Sequence, residues 1–358
     1  MRQRLFGILI ASAASMSLGR AQAAEPKTAE QVYQNITQLK GTPADQLLPA
    51  MQFIASSLGV PCTFCHVQGR MEADDKSPKK TARSMMAMTA AINKDAFAGR
   101  LQVTCYSCHR GSAHPVAIPP VLESDAAPTP ASPAPSASGA AAAAEQIVAQ
   151  YVAAVGGADA IRRVTSRVMK GSIEVGGDAM PIEVVTKAPA RRISITRMGA
   201  SDSVTAFDGT AGWLGSTGRP ARDMSASESE AAGLDAEFYL PLRLGELYPQ
   251  LRRGHPEEIA GVECDVLNGA GPGHPPVRLY FDRKTGLLVR MVRYAETPMG
   301  RIPTQIDYAD YRETDGVKTP FRWTLSRPNG RFTIQIAELK NNVPVEDARF
   351  AKPAGEVK

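Results

Sequence analysis

Hydrophobic residues along the chain follow three different patterns. The first is a single apolar run, Leu5 to Leu18, behind a short basic start with Arg2 and Arg4 and ahead of Ala21-Gln22-Ala23. This layout predicts a signal peptide over 1–23, cut near Ala23, because the run is shorter than the roughly 20 residues a membrane span needs. The second pattern has helical spacing. Met51, Ile54 and Leu58 predict a helix from Pro43, capped by Thr42, to Leu58. Met85, Met88 and Ile92 predict another from Pro78, capped by Ser77, to about Asn93. The third pattern opens with a helix near Glu145 that carries Ile147, Val148, Tyr151, Val152 and Val155 on one face and stops at Gly156-Gly157. Its spacing then changes to two. Ile193/Ile195, Phe321/Trp323/Leu325 and Phe332/Ile334/Ile336 alternate with polar residues, as strands with one buried face do. Asp208-Gly209 and Asp282 to Gly286 predict hairpin turns, and Ser225 with Glu228 has capping-box spacing for an intervening helix.

Residues 115–144 separate the two folded patterns. Seven prolines fall in 115–139 and an alanine run follows at 140–144, which reads as a linker without a core of its own. The expected organisation is therefore a small, mostly α domain over 24–114, a linker over 115–144, and an α+β domain over 145–358 built on a large antiparallel sheet.

Charge narrows the function. The 358 residues carry a formal net charge of +5, and Arg2, Arg4 and Arg20 lie in the predicted signal, leaving 5 − 3 = +2 on the exported chain. That is too little to imply nucleic-acid binding. No Cys precedes Cys62, so no lipid-attachment cysteine follows the signal, and the expected location is the periplasm.

Four of the five cysteines carry the candidate chemistry. Cys62-Thr63-Phe64-Cys65-His66 and Cys105-Tyr106-Ser107-Cys108-His109 are both C-x-x-C-H. In this motif two thiols add across the haem vinyl groups and the adjacent His becomes the proximal iron ligand. A four-cysteine zinc site would use a spacer of about 15–20 residues, whereas 39 residues separate Cys65 from Cys105. Lone C-x-x-C disulfides would close only tiny loops. The expectation is two covalently attached haems c, held by Cys62, Cys65, Cys105 and Cys108, with His66 and His109 on the irons. The opposite ligands must come from elsewhere, and a thioether suits that position. Met51 stands 11 residues before Cys62 on the first helix, and Met85 stands 20 before Cys105 on the second. Met88 and His114 are the alternatives at the second iron.

Residues 30 to 114 resemble the cytochrome c subunit of photosynthetic reaction centres. The resemblance rests on Gln46 to Val60 running into Cys62 to His66, then Thr81 to Asn93 and Val103 to Gly111. It implies helices lying along the haem planes, Met51 paired with His66, Met85 with His109, and electron transfer as the role. Reaction-centre members carry four haems and often a lipid anchor. This chain has two motifs, and Lys94 to Thr104 contain no His for a further haem, so the resemblance is to a diheme relative. The second domain resembles, more weakly, the LolA-like lipoprotein-carrier fold through Phe207 to Trp213, the hairpin Tyr280 to Arg290 and the closing Val343 to Phe350. That implies an incomplete barrel with helices on its concave side.

Other residues read as structural. Cys264 alternates with Val262 and Val266 as a core thiol, His255 and His274 precede Pro in loops, and Tyr308, Tyr311 and Trp323 pack the sheet. Lys79, Lys80 and Arg83 form a solvated helix face, the alternative being a surface for an acidic redox partner. The sequence thus predicts an electron carrier rather than an enzyme, exchanging electrons with a periplasmic or membrane-bound redox protein. Its β domain would dock a partner or hold an apolar ligand. A diheme peroxidase would need an open iron position with nearby acid–base groups. A ligand carrier or sensor would use the haems only to report redox state.

Overall fold

The computed structural model describes residues 26–115, 137–328 and 330–357. The predicted signal peptide over 1–23 and most of the predicted linker lie outside the described residues. Nine α-helices are described: α1 (Ala29–Val32), α2 (Leu47–Leu58), α3 (Cys62–Cys65), α4 (Ser77–Phe97), α5 (Cys105–His109), α6 (Ala137–Ala154), α7 (Ala158–Arg163), α8 (Ala226–Ala236) and α9 (Leu240–Leu247). The N-terminal helices precede a single sheet of 14 strands.

In chain order the strands are β1 (Ser166–Val175), β2 (Asp178–Lys187), β3 (Arg191–Met198), β4 (Ser201–Phe207), β5 (Gly212–Ser216), β6 (Arg222–Asp223), β7 (Arg252–Arg253), β8 (Glu257–Ile259), β9 (Val262–Gly271), β10 (His274–Asp282), β11 (Leu288–Thr297), β12 (Gly300–Thr314), β13 (Val317–Arg327) and β14 (Gly330–Asn341). All pairs are antiparallel, in the order β6-β5-β4-β3-β2-β1-β14-β13-β12-β11-β10-β9-β7, with β8 on β9. The sheet does not close, because β6 and β7 end it without pairing to each other. The path departs from chain order at two joins, β9 to β7 and β1 to β14, and the second sets the first and last strands side by side at its centre.

Helices cover one face. Tyr151 and Val155 of α6, Leu234 of α8 and Leu244 of α9 pack on Leu279, Phe281, Met291, Ile306 and Leu325. Ile193 of β3 points to the opposite face, where Phe350 and Val357 of the C-terminal segment seal it with Trp213. Trp213 Nε1 donates to the Phe350 carbonyl at 2.8 Å, fixing that closing segment.

Most periodic elements form where the pattern places them, and the differences have physical causes. Pro43 caps a 3₁₀ turn, Ala44–Gln46, and the first helix proper starts only at Leu47. The second helix begins at Ser77, with Lys76 as its cap, and runs on to Phe97, where Ala98 turns left-handed at φ 53°. α6 starts at Ala137 rather than near Glu145, because alanine is the strongest helix former. Ala144, from the supposed linker, is buried in the main core. His274 opens strand β10 instead of sitting in a loop, with its ring 5.9 Å from that of Tyr248. The Ser225 capping box and the Asp282 turn stand as expected, with Gly286 N–H donating to the Asp282 carbonyl.

Candidate functional site

The two motifs each fold as a short helical turn. Residues at i, i+3 and i+4 lie on one side of a helix; α5 includes its histidine, whereas α3 ends at Cys65 and His66 follows in extended backbone. In the first, His66 N–H donates to the Cys62 carbonyl at 3.0 Å. In the second, Thr104 caps α5 through a reciprocal box with Ser107. All four motif cysteines are free thiols, with Cys62 and Cys108 exposed and Cys65 and Cys105 half-buried. Desolvation pushes the Cys65 thiol up, against the opposing pull of Lys76, and desolvation likewise raises Cys105. Among the described residues no group of three or more His, Cys, Asp or Glu converges as a zinc site requires.

The histidines have matched geometry. His66 Nδ1 lies 2.8 Å from the Met71 carbonyl and His109 Nδ1 lies 2.9 Å from the Ser112 carbonyl. A carbonyl only accepts, so both Nδ1 atoms donate to it, and in the neutral ring Nε2 is then the nitrogen that carries the lone pair. That is the tautomer in which imidazole binds a metal through Nε2 while a backbone partner orients the ring.

Two helices hold the motifs in place. The C-terminal end of α2 is fastened to the second motif: Gly111 N–H donates to the Ser57 carbonyl at 2.8 Å. Gly59, at φ +66°, lies so close to the Gly111 carbonyl that any Cβ there would overlap it. α4 lies against α3 and also reaches α5. Its buried Asn93 donates to the Val103 carbonyl at 2.7 Å and accepts from the Gln102 and Val103 N–H groups at 2.9 Å, gripping the chain that enters the second motif. Its Lys79 is 8% exposed and donates to three successive carbonyls, Met71, Glu72 and Ala73. Lys79 is therefore not part of a solvated face, and Arg83 is occupied by Asp74 at 2.8 Å. Sequence reading missed both Lys79 and Asn93. Their spacing from Met86, seven residues each way, is the signal that marks one buried stripe of α4.

The candidate thioethers divide by face. Met51 is half-buried beside Ala50, Phe53 and Ile54, in a cluster that also contains Leu58, Met86 and Cys105. Met85 and Met88 lie with Ile92 on the other, open face of α4, at 38% and 46% exposure. The structure thus brings Met51, Met86 and Cys105 together and leaves Met85 and Met88 open. His114 is exposed and contacts Ser112 through its backbone N–H. Of the 13 large apolar side chains exposed among the described residues, ten fall between Val32 and Tyr106, including Phe64, Met71, Met85, Met88 and Tyr106. Exposed apolar side chains within the motifs and on α4, such as Phe64, Tyr106, Met85 and Met88, fit a large flat hydrophobic cofactor with an iron at its centre.

Residues 9–159 match the family described as the photosynthetic reaction centre cytochrome C subunit. The cytochrome c subunit of Thermochromatium tepidum is 35% identical over 103 residues, covering 28% of this chain and 25% of that protein. The corresponding subunit of Roseobacter denitrificans is 34% identical over 115 residues, covering 27% of this chain and 30% of that protein. The N-terminal part of this chain is thus similar to these subunits, and the chain spans under a third of their length. Among solved structures, a DUF1329 family protein from Desulfovibrio piger shares 15% identity at a TM-score of 0.43, covering 58% of this chain and 97% of that one. A LolA superfamily protein from Nitrosomonas europaea shares 13% at 0.42, with the same shares covered.

Proposed function

We propose that this chain is an exported diheme c-type cytochrome that passes electrons between redox proteins of the periplasm or its bounding membrane. The observation that carries this reading is the matched pair of histidines, each holding Nδ1 against a backbone carbonyl acceptor and each directly following a C-x-x-C pair. Cys62 and Cys65 would hold one haem and Cys105 and Cys108 the other, with His66 and His109 as proximal ligands. Haem c supplies reversible one-electron iron chemistry in such a site. The chain's own part is to orient the two imidazoles, to offer thioethers and to surround the cofactor with apolar side chains.

Met51 opposite His66 and Met85 opposite His109 is the ligand set we propose. The open face carrying Met85 supports this, since the buried stripe of α4 is already committed to packing through Met86, Thr89 and Asn93. If Met51 and His66 held one iron and Met85 and His109 the other, neither would offer a substrate position, which fits a carrier rather than an enzyme.

For the sheet we propose partner docking ahead of apolar-ligand storage. The cleft between the covering helices and the sheet, lined by Tyr151, Phe238, Tyr308 and Tyr311 among others, is about 200 Å³. Ligand pockets typically run from about 300 Å³ upwards, so the cleft would admit a short apolar group and not an acyl chain. The test of the whole reading is a count of covalent haems and a redox titration of the purified protein. Two reversible one-electron waves without peroxidase turnover support it, and turnover with hydrogen peroxide contradicts it.

A further inference from the structure

His66 and His109 are matched in sequence but not in surroundings. The Ser112 carbonyl that accepts from His109 Nδ1 takes no other hydrogen bond from the described residues. The Met71 carbonyl that accepts from His66 Nδ1 at 2.8 Å also accepts from the Lys79 ammonium at 2.9 Å. Lys79 is locked in this arrangement. Its three N–H donors meet Met71, Glu72 and Ala73 at 2.9, 2.8 and 2.9 Å, and Asp74 lies 3.1 Å away.

A carbonyl that already accepts from a cation is a weaker acceptor for a second donor. The His66 ring then gains less negative character through Nδ1 and donates less charge through Nε2. A poorer donor favours ferrous over ferric iron, because outer partners set ligand basicity and hence potential. The ammonium charge acts in the same direction, with Asp74 offsetting part of it.

We propose that Lys79 is a positioning residue that sets the Met71 carbonyl for His66 and raises the reduction potential of the first-motif haem above that of the second. This rests on the two-haem reading above. It gives the molecule an internal direction, in which a single electron resides at the first motif.

The test uses full-length holoprotein with Lys79→Gln and Lys79→Arg, haem counted per chain and each wave followed by spectroelectrochemistry. In Lys79→Gln one wave should fall three- to tenfold in reduction equilibrium constant, at most ~59 mV for one electron, while the other stays put. Lys79→Arg should keep most of the wild-type value. A second measurement leaves Lys79 untouched: the Cys105→Ser/Cys108→Ser variant, which retains the first motif alone, should show the higher of the two wild-type potentials. With two haems bound, unmoved waves, waves that move together, or a lower potential in the single-haem variant would each overturn the proposal. A wild-type protein without covalent haem would instead overturn the reading on which it rests.

Discussion

The ring of Phe53 in α2 lies directly over Gly300 at the start of β12, in the space any side chain at 300 would fill. Met299 and Ile302 complete this contact with Ala50 and Ile54. The tip of the β11–β12 hairpin is therefore seated on the helix that carries Met51. The Pro-rich sequence before α6 predicts units with few contacts between them, yet this apolar seam joins them.

Gly300→Val should break that seam. Gly300 has φ +147°, so the substitution adds backbone strain to the overlap with Phe53. Hydrogen–deuterium exchange should show lost protection over 47–58 and 297–302, with haem content unchanged. Unaltered protection would mean that the seam contributes little.

Met85→Ala and Met86→Ala should separate ligation from packing. Met85 lies on the open face of α4, clear of the buried stripe, so its loss should abolish the thioether charge-transfer band of one haem. Met86 is half-buried against Cys105, so its loss should cost about 2 kcal/mol, the low end for buried methionine, and leave the band in place. Thermal melts and visible spectra of both variants read this out, and the reverse result would move the ligand to Met86.

Much of this was legible in the chain before any fold was known. The C-x-x-C-H pairs are local, and their chemistry depends on spacings of three and four that any helical turn reproduces. Strands such as β3, β13 and β14 show their period of two because one face of each is buried. What the pattern hid were polar residues whose partners are distant carbonyls. Lys79 and Asn93 look like surface residues of an amphipathic helix, and only the folded loop 71–73 and the chain at 102–103 reveal what they bind. The start of α6 was hidden because alanine is equally at home in a linker and on a core-facing helix.

Asn93→Ala should destabilise the helical unit by about 3 kcal/mol. It strips the Asn93 amide from both the Val103 carbonyl and the Val103 N–H, while the Gln102 N–H keeps the Arg100 carbonyl, and each unsatisfied buried group costs about 1–3 kcal/mol. Chemical denaturation followed by Soret absorption would measure this. A cost below about 1 kcal/mol would show that water replaces the amide.

Acid stability should depend on Asp74. Its carboxyl is held well below the usual carboxylate range, first by the hydrogen bond from Arg83 and then by Asn35 and Lys79. A depressed folded value means that the contribution is fully present above the unfolded pKa of about 3.9 and is lost as pH falls through the lower folded value. Wild type should therefore exceed Asp74→Asn in melting temperature at pH 7 and still do so at pH 3, the gap closing only in stronger acid. A gap already closed at pH 4 would show that the ion pairs do not hold the carboxyl in solution.

The central claim is that this chain carries two covalent haems, one on each motif. The most direct measurement is intact mass spectrometry of the protein made in a host with haem-attachment machinery, after acid–acetone extraction of anything not covalently bound. The account predicts a mass two haems above the processed chain, falling by one haem in Cys62→Ser/Cys65→Ser and by one in Cys105→Ser/Cys108→Ser. A wild-type mass equal to the bare polypeptide, or raised by a single haem, would contradict it.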